Sequence, residues 1–158
     1  MEALGQGSLR IALMLLEMGA DVNQANRGQT FLSSAIVSRN VNMVKLLTSV
    51  PDIDIHFGTP LQTACTHSAN NFATTLDIFD VLIGAGADPY YVKPGERMSA
   101  ISTAELLNNK DIEVALKLLK LKHSGVLQAI VFRLDKVLLE MDEGPQKDNL
   151  ELLRAYLH

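Results

Sequence analysis

The side chains best suited to chemistry in this chain are one thiol and the imidazoles near it. Cys65 and His67 are two residues apart, and His56 lies upstream of them. Residues two apart on a helix do not share a face, and a nucleophilic cysteine needs an exposed thiolate with a base within hydrogen-bond reach. We therefore predict no nucleophilic catalysis and interpret Cys65 as a small packing residue.

The sequence also lacks the patterns of metal and phosphate sites. A structural zinc site needs four ligands at a recognisable spacing, which one cysteine and four scattered histidines do not supply. The glycines fall at turn positions and do not form a phosphate-binding loop. A short repeat array would offer only a shallow groove to a pair of catalytic carboxylates. We expect no enzymatic activity, cofactor or metal.

The composition is that of an ordinary folded protein with a slight excess of acidic residues. The 158 residues are 47% hydrophobic and 20% charged, and the formal net charge is −4. Binding to a nucleic-acid backbone requires clustered positive charge. The one basic cluster ends a helical pattern, where it complements the negative helix terminus, and consists of Lys117, Lys120, Lys122 and His123. Nucleic acid is therefore not an expected partner.

The cysteine count and the start of the chain bear on location. A single cysteine cannot form an internal disulfide, which suits a reducing compartment. The opening MEALGQGSLR lacks the basic and apolar regions of a secretory signal, and no apolar run approaches the roughly 20 residues of a membrane span. We expect a cytoplasmic or nuclear protein without a membrane partner.

The chain contains an internal repeat of 33 to 34 residues. The phrases GADVN, PDIDIH and GAGADPY place Asp21, Asp54 and Asp88 in equivalent positions, and each phrase follows an apolar helical pattern. A second phrase follows each one: GQTFLSSA, GTPLQTAC and SAISTAE. Repetition at a fixed period predicts a stack of similar helical units.

The boundaries of the predicted helices are marked by capping residues. Thr30, Thr59 and Ser99 stand where a hydroxyl can accept from the first free amides of a new helix. Gly19 and Gly86 end the preceding helices, because glycine adopts the left-handed conformation freely. These residues therefore mark where the predicted helices begin and end.

These phrases resemble the ankyrin repeat, in which Gly-x-Thr-Pro-Leu-x-x-Ala begins a helical pair and Gly-Ala-Asp follows it. The best copy joins GTPLQTAC to VLIGAGADP. The resemblance implies an all-α solenoid of helix-turn-helix units with projecting fingers. It also implies a protein–protein interaction module that binds its partner through the fingers and the concave face.

The copies depart from the family pattern at several points. The usual histidine after Thr-Pro-Leu is replaced by Ser33, Gln62 and Ser102, which predicts different ties between neighbouring units. The second finger is shortened, and the third is enlarged and carries two adjacent tyrosines. The stretch HSANNFATT is an insertion between two helices, and we expect it to form a loop at the edge away from the fingers.

The two ends of the array are also unusual. Gly7 matches the glycine between the two helices of a unit, so the first unit is expected to lack its first helix. We assign about three and a half repeats to residues 1–122 and a helical hairpin that caps the last repeat to residues 123–158. The apolar positions of that hairpin are Val126, Ile130, Leu134, Val137, Met141, Leu150, Leu153 and Leu157.

Residues at the family's variable positions are the predicted partner-binding residues. The first finger and its helix contribute Asn26, Arg27, Gln29, Val37 and Ser38, the second contributes His56, Phe57, Thr66 and His67, and the third contributes Tyr90, Tyr91, Lys93, Glu96, Arg97 and Met98. Tyr90, Tyr91 and Arg97 are the foremost candidates, because tyrosine and arginine often dominate binding energy. One of the two tyrosines is alternatively expected to pack against the next unit.

Asn23 has two possible roles. Its context, LLEMGADVN, resembles the acceptor sites of asparaginyl hydroxylases that modify ankyrin repeats, which makes it a candidate modification site. Its side chain could instead stabilise the turn by hydrogen bonding.

Two alternatives to a self-sufficient binding module remain open. A unit without its first helix is compatible with a regulatory or targeting segment of a larger, even enzymatic, protein. The apolar C-terminal helices are compatible with an assembly element that self-associates through residues 126–157.

Overall fold

The computed structural model describes residues 2–68, 71–124 and 127–157, without the side chains of 2–9, 26, 127–130, 132–133 and 157. Within these ranges the regular secondary structure is almost entirely helical. The helices are α1 (Glu2–Glu17), α2 (Phe31–Val37), α3 (Val41–Thr48), α4 (Pro60–Thr66), α5 (Phe72–Gly84), α6 (Ala100–Leu106), α7 (Lys110–His123), α8 (Leu127–Glu140) and α9 (Pro145–Leu157). Two short antiparallel strands, β1 (Ala25–Asn26) and β2 (Gln29–Thr30), form the first finger. The all-α prediction is confirmed.

Side-chain caps define the start of most helices. Thr30 and Ser33 form a reciprocal capping box at α2, and Ser99 accepts a hydrogen bond from the Ser102 amide at α6. The predicted cap at Thr59 is wrong: this residue is left-handed (φ +49°) and its side chain makes no capping bond. Pro60 follows at the first helical position, where a free amide is not needed, so α4 starts without the cap.

The helices form two layers around a continuous apolar core. In the inner layer, α2 packs on α4 and α4 packs on α6, and in the outer layer, α1, α3, α5 and α7 contact one another in that order. The pairs α2–α3, α4–α5 and α6–α7 also pack together, so each pair forms one unit of the stack. Phe79 and Leu82 of α5 are completely buried in this core.

Two features differ from the sequence-based predictions. The helix break expected at Gly7 is absent, because α1 continues through it as one helix. The insertion HSANNFATT is only partly a loop, since α5 begins at Phe72 and its first turn uses the last four residues of that stretch. Residues 69 and 70 of the insertion lie outside the described ranges. Added helix hydrogen bonds satisfy the backbone of the inserted residues, which explains why the helix lengthens.

The last two helices contact the outer layer. α8 and α9 pack on each other, and α9 also contacts both α5 and α7. Leu134 and Leu153 are buried as the apolar pattern predicts, whereas Val137 is exposed and its neighbour Leu138 is buried instead. Of the other residues in that pattern, Val126 and the side chains of Ile130 and Leu157 lie outside the described part of the chain. The division of the chain at residue 122 stays a prediction.

Candidate functional site

Three turns of equivalent geometry start the fingers. The carboxylates of Asp21, Asp54 and Asp88 each accept a hydrogen bond from the amide two residues later, at 2.9, 3.0 and 3.1 Å. We call residues 21–30 the first finger, 54–59 the second finger and 88–99 the third finger. The three matching turns show that the sequence repeat is also a structural one.

Each of the first two turns is tied to the next by a side chain at an equivalent position. Asn23 accepts a hydrogen bond from the Asp54 amide and donates one to the Asp52 carbonyl, both at 2.7 Å. In the next unit, His56 Nε2 accepts from the Asp88 amide at 3.2 Å. The side chain of Asn23 therefore has a structural role between units, and its modification stays a prediction.

The third finger is held against the second by contacts along its length. The rings of Tyr91 and His56 lie 4.2 Å apart between centroids, and Lys93 Nζ lies 6.0 Å from the centre of the Phe57 ring. At the far end of the finger, Gln62 Nε2 donates to the Met98 carbonyl at 3.3 Å. Gln62 stands where the family usually has histidine, so the altered residue still ties two units together.

The two tyrosines of the third finger have different environments. Tyr91 is partly buried against His56, whereas Tyr90 is 55% exposed. The turn that carries Tyr90 is fixed by the Asp88 carboxylate, which also lies 3.5 Å from Lys120 Nζ of α7. The expectation that one of the two tyrosines packs within the protein applies to Tyr91, although it packs on the preceding unit rather than the next one.

The other predicted partner-binding residues vary in exposure. Most are exposed, namely Arg27, Gln29, Val37, Ser38, Thr66, His67, Glu96 and Arg97. His56, Phe57, Lys93 and Met98 are partly buried in contacts between the fingers, and the side chain of Asn26 lies outside the described part of the chain. The predicted set therefore contains both solvent-facing residues and residues that position them.

Sequence reasoning missed two exposed leucines at the end of α6. Leu106 and Leu107 stand seven and eight residues after Ser99, as Thr66 and His67 stand after Thr59. Both leucine side chains are exposed. The same count, applied to each unit, would have found them.

The only cysteine has no catalytic environment. Burial raises the pKa of the Cys65 thiol to about 12, so the thiol stays protonated near neutral pH. Its Sγ atom lies 3.7 Å from the Ala100 carbonyl of α6, and the nearby His67 ring contacts the Thr63 carbonyl instead. Within the described ranges, no group of three or more histidine, cysteine or acidic residues could hold a metal ion.

The carboxylate with a shifted pKa, Glu113, lies on α7 of the outer layer. Hydrogen bonds from Lys117 and Lys110 lower the pKa of Glu113, and the same bond to Glu113 raises the pKa of Lys117. The three residues are spaced three and four apart on α7, which is the usual geometry of a stabilising helix pair. They contribute to the helix and form no catalytic pair.

These observations define a class of protein: a stack of helical pairs whose projecting turns are tied from unit to unit. The family model described as ankyrin repeats (three copies) matches residues 1–91. The chain belongs to the ankyrin repeat family. Helices α6 and α7 follow the matched residues and pack as the two earlier pairs do.

Members of this family are generally protein–protein interaction modules and are typically not catalytic. The searches of curated proteins and of solved structures found no match to this chain. Among the residues that the structure describes, none of the helices has both the length and the apolar character of a membrane span.

Proposed function

We propose that this protein is an interaction module that binds another protein through its fingers and the adjoining ends of the inner helices, and that it has no catalysis of its own. The observation that carries the proposal is the arrangement of the third finger. Its Tyr91 packs on His56 of the preceding unit, while Tyr90 is presented to solvent. An exposed aromatic residue on a fixed turn is the type of anchor that dominates many interfaces.

The fixed geometry of the finger also favours binding. Association costs free energy when a loop must be ordered at the interface. Here the finger is already held by the Asp88 turn, by the Tyr91–His56 contact and by the bond from Gln62 to the Met98 carbonyl. The finger would therefore lose less conformational entropy than a free loop would when a partner binds Tyr90 and Arg97.

The remaining predicted residues extend this surface. Arg27 and Gln29 are exposed on the first finger, and Thr66 and His67 are exposed at the end of α4. Leu106 and Leu107 add apolar area at the end of α6. We propose a scaffold or adaptor role for this surface, in the cytoplasm or nucleus, which the buried and protonated Cys65 suits.

The test compares Tyr90→Ala with a matched control, Lys136→Ala, an exposed substitution on α8. Each variant and the unchanged protein are immobilised and incubated with a cell lysate. The proteins that they capture are quantified by mass spectrometry. We expect Tyr90→Ala to reduce capture of the principal partner about tenfold or more, as loss of an interface anchor does, with an unchanged melting temperature. Lys136→Ala should retain the partner.

A second variant tests whether the packing of the third finger, rather than direct contact with the partner, is needed for binding. Tyr91→Ala removes the packing on His56 and should reduce both capture and the melting temperature. Full capture by the Tyr90→Ala protein, with an unchanged circular dichroism spectrum, would show that the third finger is not the binding surface.

We also propose that residues 123–158 cap the last repeat. The support is that α9 contacts α5 and α7, where Lys122 bonds both Asp80 of α5 and the Tyr156 carbonyl of α9. These contacts cover part of the outer layer that would otherwise face solvent. Self-association through residues 126–157 stays an untested alternative.

A further inference from the structure

The first outer helix exposes four apolar side chains, two of which stand at positions that its counterpart α5 buries. Ile11, Met14, Leu15 and Met18 are all exposed, and their spacing places them on one side of the helix. We call these four residues the α1 stripe. Leu16, on another side of α1, packs against the core instead. The stripe is thus a second apolar face, separate from the one that α1 uses to join the solenoid.

The repeat itself indicates that this face belongs in an interface. Counted back from the shared Gly-Ala-Asp, Ile11 corresponds to Ile78 of α5, and Leu15 corresponds to Leu82. Ile11 is 61% exposed and Leu15 is 44% exposed, whereas Ile78 is 3% and Leu82 is 0% exposed. In the array, α5 contacts the helices α3, α4, α7 and α9. Met14 and Met18 correspond to the half-buried Val81 and the exposed Ala85, so the equivalence with buried positions holds for Ile11 and Leu15.

The charges beside the stripe indicate what covers it. Arg10 and Glu17 are both exposed, carry opposite charges and stand seven residues apart, so they lie on the same border of the stripe. If a second α1 packs antiparallel across the stripe, each Arg10 comes close to Glu17 of the other copy. The midpoint of this pair and the midpoint of the stripe differ by one residue, roughly 1.5 Å along the helix. One two-fold axis therefore satisfies both the apolar and the charged positions.

From this juxtaposition we propose that the α1 stripe is a self-association surface, occupied by α1 of a second copy of this chain in an antiparallel, two-fold arrangement. The apolar side chains bury one another at the centre, and two Arg10–Glu17 pairs flank them and set the direction of the helices. This surface is separate from the third finger, so a dimer leaves Tyr90 available to a partner.

The first experiment measures the mass of the full chain by sedimentation equilibrium from about 1 to 300 μM, with Leu15→Asp and the control Leu139→Asp. Leu139 is an equally apolar, exposed residue on α8. We expect the unchanged protein and Leu139→Asp to reach the mass of a dimer, and Leu15→Asp to stay monomeric with an unchanged circular dichroism spectrum. A strict monomer over this range would overturn the proposal, as would a dimer lost only with Leu139→Asp.

The second experiment tests the antiparallel arrangement by exchanging charges. Arg10→Glu or Glu17→Arg alone puts like charges together twice, which should weaken the dimer about tenfold. The double variant Arg10→Glu/Glu17→Arg should restore the original affinity, and an equimolar mixture of the two single variants should form a heterodimer. A dimer that is indifferent to all of these changes would overturn the antiparallel arrangement.

Discussion

The first and last inner helices differ in the residues that they carry at the two ends of the inner layer. Ile36, Cys65 and Glu105 occupy the same position after the helix caps of α2, α4 and α6. Ile36 and Cys65 are each 1% exposed because another inner helix follows, whereas Glu105 is exposed. The last inner helix thus carries a charge at the position where the earlier ones carry an apolar residue.

At the other end of the inner layer, no charged residue replaces the apolar one. Phe31, Pro60 and Ala100 are the first residues of the inner helices, and Pro60 and Ala100 are buried by the unit before them. Among the described residues no inner helix precedes α2, and Phe31 is 46% exposed. Terminal repeats generally need a polar outer face. At the position after the caps, α6 therefore carries a charged residue, whereas at the other end of the layer α2 presents the exposed, apolar Phe31 and α1 the exposed stripe.

The largest expected effect comes from placing a charge inside the inner layer. Ile36→Glu gives the first inner helix the residue that the last one has at this position, but here α4 follows and no water can reach the carboxylate. We expect a loss of about 3 kcal/mol or more in the free energy of unfolding. Urea denaturation followed by circular dichroism measures it.

The neighbouring change Val37→Glu is the control for this prediction, because Val37 is largely exposed and should tolerate a charge within about 0.5 kcal/mol. Equal losses for the two variants would mean that the position after the cap does not distinguish interior from terminal units.

The next effect tests whether α9 stabilises the outer layer. Leu153 of α9 is fully buried, and its neighbour Leu152 is at least one-third exposed. We expect Leu153→Ala to lower the free energy of unfolding by about 3 kcal/mol through the lost burial and the cavity, and Leu152→Ala to lower it by about 0.5 kcal/mol or less. Thermal denaturation of both variants measures the difference. Similar melting temperatures would argue that α9 does not stabilise the outer layer.

A smaller effect is expected at the link between the first two turns. Asn23→Ala removes the bonds to the Asp54 amide and the Asp52 carbonyl, which should cost about 1–2 kcal/mol. Asn42→Ala, an exposed change on α3, is the matched control and should be close to neutral. If both variants melt at the temperature of the unchanged protein, the bond across the turns does not stabilise the stack.

The smallest effect on stability is expected at Glu105 of α6. Glu105→Ile restores the apolar residue of the interior units at an exposed site, so the free energy of unfolding should change by about 0.5 kcal/mol or less. It should instead create an apolar patch and increase self-association, which sedimentation velocity measures. If the variant self-associates no more than the unchanged protein does, Glu105 does not prevent self-association through this end.

The repeat made much of the fold predictable. The equivalent aspartates and glycines located the turns, and the Thr30 and Ser99 caps located two of the inner helices. The cap at Thr59 was predicted wrongly because a hydroxyl at the right position does not determine the backbone angles beside Pro60. The break at Gly7 was predicted wrongly because a glycine only weakens a helix and does not end it unaided.

The candidate site was less predictable than the fold. The sequence indicated the enlarged third finger and its two tyrosines. It could not indicate which of the two tyrosines is partly buried, because their side chains are identical. The contact with His56 and the exposure of Tyr90 depend on how two units pack. Leu106 and Leu107 were not among the predicted residues, although Val37 and Ser38 of that set stand at the equivalent positions after Thr30.

The sequence by itself determined the repeat, the class of fold and the absence of a reactive thiol pattern, because periodicity and residue type are local properties of the chain. Only the tertiary structure decided which residues at equivalent positions are covered. Ile11 and Ile78 have identical side chains in equivalent places, yet one is exposed and the other buried. Burial depends on what packs alongside, and in a stack of units that differs between the ends and the interior.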